Sequence, residues 1–189
     1  TVLSFGYPSF APAHRVSADF TIKTSGTHYI PSGVDIEYYY VIRDADGHTF
    51  ETDRYHLEYL DPRFEWRELR LDNIRVLYHD RPDDRVLRIA TDVDKRLVPV
   101  RALLGLESAR PVKAVHLNDG RESRRTFPFI SETARREHLF GGFAFDQYDL
   151  FVLVGLWPDG MVHEMTHLLI DQAVDSPLAK IPAWLNEGL

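Results

Sequence analysis

The chain has 189 residues, 44% of them hydrophobic, 12% aromatic and 27% charged, and carries a formal net charge of -7. That is enough apolar material for one ample domain or two small ones, and it excludes an intrinsically disordered chain. The acidic balance argues against a nucleic-acid surface, no apolar run reaches the ~18 residues of a bilayer span, and the absence of cysteine excludes disulfides and thiolate metal ligands.

The first third is rich in strand signals and has no helical period. Residues 18–24, 34–43 and 48–58 mix β-branched and aromatic side chains, with turn chemistry at Ser25-Gly26, Pro31-Ser32-Gly33 and Asp44-Ala45-Asp46-Gly47. The second and third of these segments read as a hairpin closed by Asp46-Gly47. The Asp44–Gly47 run lacks the later ligands of a calcium loop and reads as a turn. Three or four strands are too few for a sandwich of about seven.

From residue 74 the pattern changes to alternating strand and helix. Residues 74–79 read as a strand, 83–104 as a helix with Asp83 or Asp84 as its cap and Gly105 as its stop, and Pro99 predicts a kink or a break in it. Residues 112–117 form a second strand, Arg121 to Arg125 a solvated loop, 131–138 a short helix and 149–154 a buried strand. A β-α-β start implies a mixed sheet with helices packed on it. The expected class is α+β, with a β-rich accessory region over residues 1–65 and a second domain over 66–189.

Trp157-Pro158-Asp159-Gly160 supplies a start for the next helix, which carries His163-Glu164-Met165-Thr166-His167 in an apolar setting. Residues four apart lie one above the other on a helix, so His163 and His167 can place a ring nitrogen each on one metal ion. Glu164 points to the side of that pair, in reach of a water on the metal. Catalytic zinc commonly takes three protein ligands and keeps a fourth position open, and two His with one Glu is a known set. Glu187 is the third candidate, on a second helix beginning near Pro182.

These residues resemble the gluzincin branch of zinc metallopeptidases, the thermolysin-like and aminopeptidase-like group. Within it, Pro182-Ala183-Trp184-Leu185-Asn186-Glu187-Gly188-Leu189 is similar to the third-ligand segment of the peptidase MA-like proteins. The resemblance covers roughly residues 74–189. It implies a zincin-like domain, Zn2+ held by His163, His167 and Glu187, Glu164 as catalytic base, and peptide or protein as substrate. It also implies that residues 141–145 are an edge strand taking substrate backbone through Gly142, Phe143 and Ala144, beside the plainer reading of a glycine-containing turn and strand. The first segment looks like part of an immunoglobulin-like or fibronectin-like sandwich, and residues 59–66 are similar to the junction preceding the peptidase region. An exported, extracytoplasmic protein follows from the same likeness, as does an expectation that both ends of the chain are cut.

Asn186 and Asp171 are candidates to orient the ligands. No group that would stabilise an oxyanion is evident, although Tyr148 and His138 are possible substitutes. His14, His28, His48, His56, His79 and His116 have no ligand spacing and read as structural or exposed. Two rivals stand beside a peptidase: a non-catalytic metal-binding or extracellular binding module, and a metal-dependent hydrolase of another bond.

Overall fold

The computed structural model describes residues 4–11, 13–106, 110–128, 141–174 and 182. The chain divides into two compact units, Thr1–Ile30 and Pro31–Leu189. Residues 31–65 therefore group with the following sheet, and not with residues 1–30 as one accessory region.

In the first unit the regular element among the described residues is a single 3-10 turn, Gly26–His28. The strand expected over residues 18–24 does not form. Their β-branched and aromatic content favours extended backbone, but a strand needs a partner ladder, and among the described residues none forms here. Phe20 instead lays its ring on Gly6, filling the space a Cβ would take.

The second unit is a mixed α+β structure with three α-helices among its described residues. It opens with a long hairpin. Strands β1 (Asp35–Tyr38) and β4 (Tyr55–Glu58) pair antiparallel, and β2 (Val41–Arg43) pairs with β3 (Thr49–Glu51) further out. Tyr38 faces Tyr55 and Val41 faces Glu51, so three steps on one strand match four on the other, and the extra residue makes a bulge. The expected turn closes the tip: Asp44 Oδ1 accepts from the backbone of Asp46 and His48, each at 2.9 Å.

The central sheet has the order β5-β6-β7-β9-β8. Strands β6 (Ile74–Tyr78), β7 (Val112–Leu117) and β9 (Leu150–Val154) run parallel, with β5 (Arg67–Arg70) and β8 (Gly142–Phe145) antiparallel at the edges. Helix α1 (Asp83–Leu103) makes the β6-α1-β7 crossover that the sequence implies. One sheet face, with Ile74, Val76, Val112, Ala114, Phe151 and Leu153, packs against Val86, Ala90, Val93 and Leu97 of α1 and against helix α3 (Pro158–Val174). Alternation turns the intervening residues to the other face.

Two expectations about helices need correcting. Pro99 does not break α1, which continues to Leu103. Pro99 is exposed, so the carbonyl it leaves without a donor is on the solvent side, while buried Val93 and Leu97 and half-buried Val100 hold the helix to the core. Nor do Arg121 to Arg125 form a loop. They lie in helix α2 (Gly120–Thr126), whose N-cap Asp119 accepts from Arg121 N at 2.7 Å and Glu122 N at 3.2 Å. No α2 residue is buried, so no apolar period announced it. The residue before α1 that acts as cap is Pro82, with Asp83 and Asp84 inside the first turn. The short helix expected over 131–138 lies outside the described residues.

Strand β7 is buried along its whole length yet contains a lysine. Lys113 reaches out of the sheet face opposite the helices, where Nζ donates to Gly33 O at 2.7 Å, Asp35 Oδ2 at 2.6 Å and Glu58 Oε1 at 2.8 Å. Arg75, beside it on β6, pairs with Glu58 at 3.0 Å and with Glu68. Gly33 takes φ +94, and a Cβ there would collide with Val115, so only glycine brings the chain this close to the sheet. The hairpin base is thus fixed to the sheet by ion pairs and one glycine.

His79 and His116 are both buried, at 0% and 2% exposure. His79 stacks on Phe64 at 4.0 Å and meets Asp80 and Glu122 at 2.9 and 3.2 Å. His116 points into the helix-side core beside Ala114, Leu156 and Met161, and among the described residues neither ring nitrogen has a hydrogen-bond partner. Burial holds its pKa down at about 3, with Arg81 adding to the effect.

Two measurements check this packing. Lys113→Met leaves Asp35 and Glu58 with Arg75 as their remaining shared cation; because of that and because Asp35 is largely exposed, the loss of stability in urea unfolding is expected at roughly 2–3 kcal/mol, below the ~3–5 of a fully buried pair. For His116, the unfolded state takes up its proton near pH 6.5 and the folded state only near 3, so between those values the unfolded chain binds more protons. Stability from this group is full above pH 6.5 and falls by an amount on the order of 4 kcal/mol as pH drops towards 3. His116→Leu should remove that acid slope in unfolding curves recorded across the window.

Candidate metal centre on helix α3

Helix α3 buries Met161, Met165, Leu168 and Leu169 against the sheet and α1. Its helical period then places His163, Glu164 and His167 on another side, with His163 exposed and the other two half-buried. Both helix ends are tied down. Arg96 of α1 pairs with Asp159 at 2.8 Å, and Gln172 donates to Asp149 Oδ1 at 2.8 Å while accepting from Arg110 N at 3.1 Å.

The two imidazoles converge. His163 Nε2 and His167 Nε2 are 3.1 Å apart, with ring planes at 80°. Two nitrogens on one tetrahedral zinc at ~2.0–2.1 Å would be separated by roughly 3.3 Å. The pair therefore fits the ion in both atom type and spacing. Among the described residues, Glu164 does not complete a three-ligand group with the two histidines.

Glu164 lies instead against the edge strand. Its Oε1 is 3.0 Å from where a Cβ on Gly142 would stand, and that position is also 2.8 Å from Leu153 Cδ1 and 3.1 Å from Val152 O. A Cβ here would press on Leu153 first, then on the carboxylate and the Val152 carbonyl. Ala144 shares this face and packs on the core. Phe143, between them, turns its ring to the other side, where it meets Phe127 edge-on at 4.8 Å. Residues 142–145 are thus an edge strand antiparallel to β9, running beside the His163–His167 row.

Asp171 is exposed one turn beyond His167, and Tyr148 is half-buried in the 3-10 turn Asp146–Tyr148 between β8 and β9. Glu187, Asn186 and His138 lie outside the described residues. Asp44, Asp46 and His48 at the hairpin tip are the metal-capable triple among the described residues, and all three are exposed. Asp44 already spends both oxygens there, accepting from the turn backbone and from His48 Nδ1 at 2.9 Å, which also holds its carboxyl below the usual range. Sequence reading had no access to the Gly142–Glu164 contact. A glycine in a strand is a weak sign of close approach by another group, and it was the available signal.

Gly142→Ala should displace the Glu164 carboxylate and overfill the strand–helix gap. The expected outcome is a loss of roughly 1–3 kcal/mol in denaturant unfolding, with a larger loss for Gly142→Val. Unchanged stability in both variants would mean that β8 and α3 are further apart than described. No protein-family model, curated protein or solved structure matches this chain.

Proposed function

We propose that this chain is a zinc-dependent peptidase of gluzincin type. The observation that carries the reading is the convergence of the His163 and His167 Nε2 atoms at 3.1 Å, with Glu164 set beside them over the Gly142 backbone. His163 and His167 would hold the metal, with Glu187 as the third ligand. Bound zinc supplies Lewis-acid polarisation of a carbonyl and an acidified water. Glu164 accepts a proton from the attacking water and delivers it to the leaving amine. The edge strand β8 aligns an extended peptide by backbone hydrogen bonds, as open sheet edges do. Asn186 and Asp171 would orient the ligands.

The mixed sheet with its helices on one face supports a zincin-like architecture over residues 66–189. The antiparallel β1–β4 and β2–β3 pairs are what support an immunoglobulin-like or fibronectin-like reading of residues 31–65. An extracytoplasmic location belongs to the same proposal. No helix among the described residues is long and apolar enough to cross a membrane.

One observation favours the second reading, a binding module. The hairpin exposes Tyr38, Tyr40, Ile42, Phe50, Tyr55 and Leu57, the kind of apolar surface that marks interaction sites.

Metal analysis together with a cleavage assay separates the two. Purified protein should carry about one zinc per chain, and His163→Ala, His167→Ala or Glu187→Ala should lower that occupancy. Glu164→Gln should retain zinc while cleavage of a peptide library falls at least ~100-fold. Zinc bound in full with no cleavage by the wild type would favour the binding module.

A further inference from the structure

Trp157 occupies a seat made by glycines. Its Nε1 donates to Val154 O at 3.2 Å, and its Cζ2 lies 3.3 Å from where a Cβ on Gly141 would stand. A Cβ on Gly160 would overlap the ring outright. Gly160 stands in the first turn of α3, where glycine is a poorer helix former than alanine. The indole uses the room this creates. Yet the side chain remains 45% exposed, which a tryptophan seated for core packing alone would not be.

The seat lies next to the candidate centre. Gly160 precedes His163 by three residues, Glu164 by four and His167 by seven, so it heads the same side of α3, about 4.5 and 6 Å from the first two along the axis. Gly141, under the ring edge, adjoins Gly142, which accommodates Glu164. The indole therefore stands where the α3 row and the start of β8 meet. Leu156, half-buried, precedes it in sequence, and the carboxylate of Asp159 is engaged by Arg96 at 2.8 Å.

We propose that the Trp157 indole is the floor of an apolar subsite beside Glu164, which takes an apolar or aromatic side chain of a peptide lying along β8. The identity of the ligand as a peptide rests on the peptidase reading. A rigid aromatic face provides a large contact area at small loss of side-chain freedom, and its immediate charged neighbour on α3 is already paired. Trp157 is thus a specificity-determining residue.

The test is isothermal titration of zinc-loaded Glu164→Gln protein with blocked hexapeptides identical except for Ala, Leu, Phe or Lys at one position, scanned along the peptide. At one position Leu and Phe should bind about tenfold tighter than Ala, the gain expected from covering a few methylene groups. Adding Trp157→Ala should reduce that ratio to about twofold or less. Gly160→Ala, which lifts the ring without removing it and improves helix propensity, should do the same and carries the test if Trp157→Ala does not fold.

An unchanged Leu or Phe preference in either folded variant overturns the subsite, as does a preference for Lys that depends on Trp157. Wild-type protein that cleaves none of the peptides, while Glu164→Gln shows the Trp157-dependent preference, overturns the peptidase reading and leaves the subsite standing. Absence of binding by every peptide overturns both.

Discussion

Helix α3 has one side that must be buried, and the candidate centre follows from that constraint. Met161, Met165, Leu168 and Leu169 fit a single stripe, and the sheet with α1 offers the apolar surface that covers it. Burying about four such side chains is worth several kcal/mol, on the order of 1.5–3 each, far more than any preference of the histidines for one orientation. With the stripe fixed, His163, Glu164 and His167 have no choice of side. The polar groups are presented by the burial of their apolar neighbours, and the two imidazoles meet at 3.1 Å as a consequence of helical spacing.

The sheet that receives α3 is held from both faces. Its helix face is apolar around Phe151, Val76 and Ala114, with His116 as the buried polar ring among them. Its other face accepts the hairpin base through Gly33, Lys113 and Arg75, a small polar cluster on otherwise buried strands. Edge strand β8 is the place where sheet and candidate centre meet. Gly142 brings its backbone under Glu164, while Phe143 faces away towards Phe127, so one strand serves the centre with its backbone and the packing with its side chains. His116 shows the opposite arrangement, a polar ring inside the apolar face with its pKa pushed down to about 3 by burial. That group ties the packing of this face to acidity.

Much of this could be read from residue order alone, because it depends on short-range periodicity. The strands near residues 74, 112 and 150, the helix from Asp83, the hairpin closed at Gly47 and the placement of His163, Glu164 and His167 on one helix all rest on local pattern. What could not be read depends on partners distant in sequence. Strand β5 is an Arg-Glu-Leu-Arg stretch whose strand character comes from pairing with β6. Residues 18–24 have strand-like composition but join no ladder among the described residues, and helix α2 has a cap but no buried face to betray it. Pro99 suggested a break because its cost was judged without knowing that it faces solvent. Gly142 read as part of an edge strand or a glycine-containing turn and Gly160 as part of a helix start, and neither reading showed that Glu164 and Trp157 lie against them.

The central claim is that the His163–His167 pair is a metal pair. X-ray absorption at the zinc edge of the purified protein tests it most directly, since it reports the donor atoms themselves. The account predicts two imidazole nitrogens at ~2.0–2.1 Å with oxygen donors completing a four-coordinate shell, and loss of one imidazole in His163→Ala. A shell made of oxygen alone, or one whose imidazole signal is unaltered by His163→Ala, would contradict it.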